Sequence, residues 1–322
     1  MKSFHQSHFD SVDGVAQRFA AIDYIASREI ATTVYLGFNL EKPILVEGPA
    51  GVGKTELAKG TAQLLGVPLI RLQCYEGLDE SKALYEWKYG KQLLYTQLLK
   101  DKLGEMMAGA VGLAASMERL HAHDDLFFSE TFLEPRPLYQ ALHQERGCVL
   151  LIDEVDKSDP EFEAFLLEVL SDFQVSVPEL GTIKAKVKPI VFLTSNNTRE
   201  MSDALKRRCL HLHIPFPEAM LERRILERRV PGLSAALNHE LVAFIQAVRQ
   251  LDLKKQPSVS ETIDWAKTLL LLNAEHLSLD LVRDTLNVFL KFESDITSAS
   301  EQLPALMSQA RKDAEFPHAS HA

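Results

Sequence analysis

Cysteine is scarce. Only Cys74, Cys148 and Cys209 occur in 322 residues, an odd number set in or beside apolar strand-like runs, which excludes a disulfide framework and points to reduced, mostly buried thiols in a cytoplasmic setting. A basic excess is also missing. With 35 Lys and Arg against 45 Asp and Glu the formal net charge is −10, a balance that counts against general affinity for nucleic acid or an anionic membrane, although local basic patches can still form. No apolar run approaches the ~18 residues that would span a bilayer, and Met1–Gln6 shows no apolar signal-peptide core, so neither export nor membrane insertion is expected. Internal repeats and low-complexity tracts are absent too. What remains is a chain that is 46% apolar, enough to fill the cores of one α/β domain of about 200 residues and one smaller domain.

The strongest signal is Gly48-Pro49-Ala50-Gly51-Val52-Gly53-Lys54-Thr55. It fits G-x-x-x-x-G-K-[ST], with the apolar Pro43–Val46 before it and the helix formers Glu56–Lys59 after it, the strand–loop–helix context of a phosphate-binding loop. The glycines let consecutive N–H groups curl inward, and the following helix adds the positive end of its dipole. Lys54 is placed on the β- and γ-phosphates and the Thr55 hydroxyl on Mg²⁺, with Glu56 closing the cofactor-binding segment. A nucleoside triphosphate ligand follows.

Residues 1 to about 40 carry Val15, Phe19, Ile22, Ile25, Ile30 and Val34 at helical spacing and lead into the first strand. Pro68–Gln73 is a second strand. The segment from Tyr75 to Tyr95, with four tyrosines and Trp87 among charges, suits either a contact loop for substrate or subunit, or a local packed aromatic cluster. Residues 97 to 124 read as a helical insertion, in which His121, His123 and Asp124 fit a solvated helix end better than a metal pair. Cys148–Glu154 is an apolar run ending in two carboxylates, as a buried parallel strand would be. At its carboxyl end Asp153 can hold Mg²⁺ through water, and Glu154 can polarise an attacking water. Val175–Val187 alternates about a glycine as a β-hairpin does. Pro189–Asn197 is a fourth strand tipped by Asn196, a candidate to hold that water or touch the γ-phosphate. Arg207-Arg208-Cys209 precede the last strand, Leu210–Pro215, whose His211 and His213 read as sheet packing or surface. Beyond Pro217 the pattern is helical: Glu218–Arg229, Glu240–Leu253, Ser260–Leu272 and Leu279–Phe292.

In this order the parts resemble an AAA+ ATPase: a P-loop α/β fold with a five-stranded parallel sheet between helices, followed by a small all-helical lid. The resemblance divides the chain into a helical lead-in (1–40), the nucleotide-binding domain (41–216, with inserts at about 75–145 and a hairpin at about 175–188), the lid (217–300) and a flexible tail (301–322). It makes Lys54 and Thr55 the Walker A pair, Asp153 and Glu154 the Walker B pair, and Asn196 the sensor-1 residue. Arg208, with Arg207 as fallback, becomes a finger offered to a neighbour's γ-phosphate, which implies a ring, a hexamer. Leu72–Asp79, Ala83–Trp87, Glu163–Gln174 and Thr194–Glu200 further resemble the MoxR family, and within it the CoxD branch. That likeness implies a chaperone-like ATPase acting on a protein client with a von Willebrand factor A domain partner, in maturation of a molybdenum enzyme such as carbon monoxide dehydrogenase. One position departs: Glu261 stands where the family places a γ-phosphate-sensing arginine. Two other readings stay open, a nucleic-acid-associated AAA+ ATPase of the clamp-loader or helicase-loader kind and a low-turnover nucleotide switch.

Overall fold

The computed structural model describes residues 9–98, 132–177 and 181–315. Two serines open the fold. Ser11 and Ser27 accept hydrogen bonds from the N–H groups of Gly14 and Ile30, capping α1 (Val12–Ala21) and α2 (Arg28–Asn39) and satisfying donors the helices themselves cannot. Then β1 (Ile44–Glu47) and α3 (Lys54–Leu65) lead to β2 (Leu69–Gln73), the short α4 (Glu80–Leu84), β3 (Tyr85–Trp87) and α5 (Tyr89–Leu98). After the insertion, β4 (Leu133–Pro135) and α6 (Pro137–Leu142) precede β5 (Val149–Asp153), a 3-10 turn at Val155–Lys157 and α7 (Pro160–Asp172). The antiparallel pair β6 (Gln174–Val177) and β7 (Gly181–Lys184) comes before β8 (Ile190–Ser195), α8 (Asp203–Arg208) and β9 (Leu210–His213).

The main sheet has the order β2-β5-β8-β1-β9, and every pairing in it is parallel. Alternation along the strands divides their side chains between two cores. Ile44, Val46, Val149, Leu151, Phe192 and Leu212 face α1, α2 and α3, packing with Phe19, Val34, Leu57 and Ala58. Leu45, Leu150, Ile152, Val191 and Leu193 face the other way, onto Leu138 of α6 and Phe162, Leu166 and Val169 of α7. A sheet covered on both faces explains the continuously apolar β5 and β8, all of whose residues are buried. Truncating fully buried Phe192 to Ala would cost about 3–5 kcal/mol.

Beyond β2 the aromatic segment splits. Trp87 is buried beside Leu84 and Leu133 where β3 pairs with β4, its ring edge-on to Tyr85, whereas Tyr75 and Tyr89 are exposed. The predicted helical insertion, with His121, His123 and Asp124, lies almost wholly outside the described residues.

Among the described residues after Pro217 there are six helices: α9 (Ala219–Arg229), α10 (Ala235–Val248), α11 (Val259–Leu271), α12 (Leu279–Phe289), α13 (Glu293–Glu301) and α14 (Leu303–Glu315). Trp265 is fully buried between Phe244 and Phe289, and its indole N–H donates to Thr285 at 2.9 Å. Where a flexible tail is expected from residue 301, α14 packs on α10 instead. Leu303, Leu306, Met307 and Ala310 supply the helical i, i+3, i+4, i+7 stripe and are buried in the lid core, which corrects that expectation for 303–315. No helix among the described residues is long and apolar enough to cross a membrane.

Candidate nucleotide-binding site

The loop between β1 and α3 is shaped by glycines with positive φ. A Cβ on Gly48 would stand 2.1 Å from the carbonyl oxygen of Ile214, and one on Gly51 would stand 2.4 Å from the Ser258 hydroxyl, so the loop is pressed against the end of β9 on one side and the lid on the other. At the start of α3, Gly53 provides no side-chain cap, leaving the first-turn N–H groups to an anion. Within this loop the Lys54 ammonium donates to the carbonyls of Gly48 and Pro49, both at 2.7 Å, and to Oδ1 of Asn196 at 2.8 Å. Burial lowers its pKa, with the carboxylates of Asp156, Asp153 and Glu154 acting in the opposite sense.

Parallel register carries β5 and β8 to the same end of the sheet as this loop, where open α/β sheets place their ligands. Asp153, buried, receives the Thr194 hydroxyl on Oδ1, the Thr55 hydroxyl at 3.3 and 3.4 Å, and Nη2 of Arg71 on Oδ2 at 2.5 Å. Glu154 then turns sharply, at φ 57°, and its N–H donates to Thr194 Oγ1 at 2.9 Å. A left-handed non-glycine residue costs on the order of 1–2 kcal/mol, and here it swings the carboxylate over the cleft. That carboxylate accepts from Gln73 at 2.8 Å, Lys157 at 2.7 Å and the Asn196 amide at 3.4 Å. Asn196 thus bridges Lys54 and Glu154. Its own N–H donates to buried Asp156 at 3.2 Å, and Asp156 also takes the N–H and hydroxyl of Thr198; these bonds outweigh burial and hold its pKa below the usual value.

The resulting cleft, about 270 Å³, collects Lys54, Thr55, Glu56, Asp153, Glu154 and Asn196 with Ala50, Gly51 and Gly53. Half-buried Glu56 pairs with Lys59 at 2.7 Å and with Arg229 of the lid at 3.1 Å. The donors that face the cleft near Thr55 are hydroxyl and carboxylate oxygens, suited to Mg²⁺ rather than to a soft metal. Together with the glycine-shaped loop they fit a Mg²⁺–nucleotide.

The arginine pair is elsewhere. Leu210 is the sheet partner of Ile44, so Arg207 and Arg208, just ahead of β9, sit at the far end of the sheet from Gly48, one strand length or roughly 13 Å away. Arg208 is exposed and donates to Ser171 Oγ at 2.9 Å. Neither arginine lines this chain's own cleft. His211 pairs with Glu47 at the sheet edge, and it and His213 are exposed. Burial pushes all three thiols up to about 12.

Glu261 does not line the cleft. In α11 it completes a capping box, accepting from the Ser258 N–H at 2.8 Å, and it pairs with Lys255 at 2.8 Å. The α11 residue lining the cleft is Ser260. Sequence reasoning misses Ser260, Arg71, Gln73, Thr194 and Asp156. For Arg71 and Gln73 the signal was the period of two: with Leu69 they share the sheet face of Val149, Leu151 and Asp153.

Residues 43–209 match the AAA domain (dynein-related subfamily). Uncharacterized proteins of Staphylococcus aureus strains USA300 and NCTC 8325 are each 22% identical over 240 residues, covering 72% of this chain and 77% of theirs. The matched span runs from the residue before β1 to the residue before β9 and holds every cleft-lining residue except the lid's Ser260. More than half of the chain lies inside it, and the chain belongs to the AAA domain family, in its dynein-related subfamily.

Proposed function

We propose that this chain is a Mg²⁺-dependent ATPase of the MoxR type that assembles into a ring, a hexamer, and remodels a protein client in the cytoplasm. An AAA domain implies nucleotide binding and ATPase activity in general, and the observation that carries the hydrolytic reading here is the bridge Lys54–Asn196–Glu154. It ties the phosphate-binding cation to the carboxylate that would polarise water.

Bound Mg²⁺ would neutralise phosphate charge between Thr55 and Asp153. Lys54 holds the β- and γ-phosphates against the loop N–H groups. Glu154, fixed by Gln73, Lys157 and Asn196, orients and polarises the attacking water, while Asn196 keeps Lys54 and Glu154 in mutual register. Arg208, remote from its own cleft and exposed, supplies its guanidinium to the γ-phosphate of a neighbouring subunit. The segments resembling MoxR and CoxD support a von Willebrand factor A domain partner and a metalloenzyme client, carbon monoxide dehydrogenase or a related molybdenum enzyme.

Glu154→Gln is the test. The variant should bind ATP with wild-type affinity and lose turnover by at least about 10²-fold, the usual scale for a general base, and light scattering with ATP and Mg²⁺ should then show a ring. Wild-type hydrolysis would remove Glu154 from its role. A monomer despite measured ATP binding would remove the finger acting across subunits and favour a nucleotide switch, the reading to which the absence of an arginine at position 261 lends weight.

A further inference from the structure

Arg71 stands on Asp153, the carboxylate that would hold Mg²⁺. Of Asp153's two oxygens, Oδ1 is held by the buried Thr194 hydroxyl and Oδ2 takes Nη2 of Arg71 at 2.5 Å, while the Thr55 hydroxyl stands 3.3 and 3.4 Å from the two. The same nitrogen donates to Gln73 Oε1 at 2.5 Å. The two partners differ in freedom: the Asp153 side chain is 5% exposed and Arg71 50% exposed, on an edge strand at the rim of the cleft. Arg71 therefore has open space to turn into, whereas Asp153 is enclosed and held by Thr194.

A divalent cation held by Thr55 and Asp153 would lie close to this guanidinium, and like charges at close range repel. The triphosphate offers Arg71 a better partner, since a guanidinium fork matches phosphate oxygens as well as it matches a carboxylate. Resting on the reading of the cleft as a Mg²⁺–nucleotide site, we propose that Arg71 is the internal counter-ion of Asp153, held on its carboxylate until Mg²⁺–nucleotide binds and then moved onto the phosphates. In a metal-free complex Arg71 is the cation bonded to the Asp153 carboxylate facing the triphosphate, so its charge matters most there.

The test is a titration of the full chain with a fluorescent ATP analogue, once in excess Mg²⁺ and once in EDTA. For Arg71→Gln the ratio of the EDTA Kd to the Mg²⁺ Kd should rise by roughly fivefold or more over wild type, because loss of the counter-charge penalises the metal-free complex selectively. Arg71→Lys, which keeps a charge on a half-exposed side chain, should stay within about twofold of wild type. A merely structural role would weaken both affinities together and leave the ratio unchanged, which overturns the proposal. A ratio raised equally in the Lys and Gln variants overturns it as well, since charge would then not be the cause. If the wild type binds no nucleotide under either condition, the reading of the cleft itself falls and the role of Arg71 with it; binding with an unaltered ratio removes Arg71 alone.

Discussion

Converting Glu261 to arginine should not restore a phosphate sensor; it should damage the lid. The Glu261 carboxylate, 11% exposed, accepts from the Ser258 N–H and pairs with Lys255. Losing a capping box costs about 1 kcal/mol, and exchanging the Lys255 pair for two like charges adds up to about 1 kcal/mol at this half-exposed partner. Glu261→Arg should thus destabilise the protein by about 1–2 kcal/mol in urea unfolding. It should also weaken ATP binding severalfold, because the cap residue Ser258 packs directly on Gly51 of the phosphate loop. Ser260→Arg is the contrasting change. Its side chain starts from the cleft wall, so a charge-assisted bond to phosphate adds about 1.5–3 kcal/mol to binding, while the unfavourable interaction with the helix dipole, about 0.3–1 kcal/mol, falls on folding stability. ATP affinity should rise roughly tenfold. Fluorescent-nucleotide titration of both variants decides: tighter binding by Glu261→Arg than by Ser260→Arg would refute the geometry argued for α11. The pH dependence adds a second check. Burial raises the Glu261 pKa, but bonds from Lys255 and Ser258 outweigh it and hold the value below the ordinary 4.5. A group depressed in the folded state stabilises above its unfolded pKa and loses that contribution as pH falls through the folded value. Wild type and Glu261→Gln should therefore differ most in stability near neutrality and converge as pH falls through the folded value, below 4.5.

Thr194→Val keeps the volume of a buried side chain but removes the hydroxyl shared by the Glu154 N–H and Asp153. Urea unfolding should show about 1–3 kcal/mol lost, and a loss under about 0.5 kcal/mol would mean that Thr194 does not secure the Glu154 turn. In the lid, Arg249 and Glu222 form a pair buried to 4% and 0% exposure at 2.7 Å. Arg249→Met alone should cost about 3–5 kcal/mol by stranding Glu222, and adding Glu222→Met should recover most of it; a double variant no more stable than the single one would contradict this.

The parts legible in sequence were those whose physics is local. A phosphate loop declares itself because glycine freedom and a following helix are needed within eight residues, and β5 and β8 declare themselves because strands covered on both faces must be apolar throughout. The tail was harder. The stripe at Leu303, Leu306, Met307 and Ala310 is present in the letters, but its neighbours are polar and its partner α10 lies more than 50 residues upstream, so only packing reveals that it is buried. Glu261 shows the limit of placing a side chain by its position in a family pattern: one step along a helix is about 100° of rotation, and the capping box spends Glu261 on Ser258 while leaving its neighbour Ser260 at the cleft. Arg71 lay hidden for a related reason. Period-two alternation puts residues 69, 71 and 73 on one face, but only the β2–β5 register, Gln73 beside Asp153, brings Arg71 diagonally onto the carboxylate. What the letters conceal in this cleft is not which chemistry is present but which charge neutralises which, and that pairing follows from strand register.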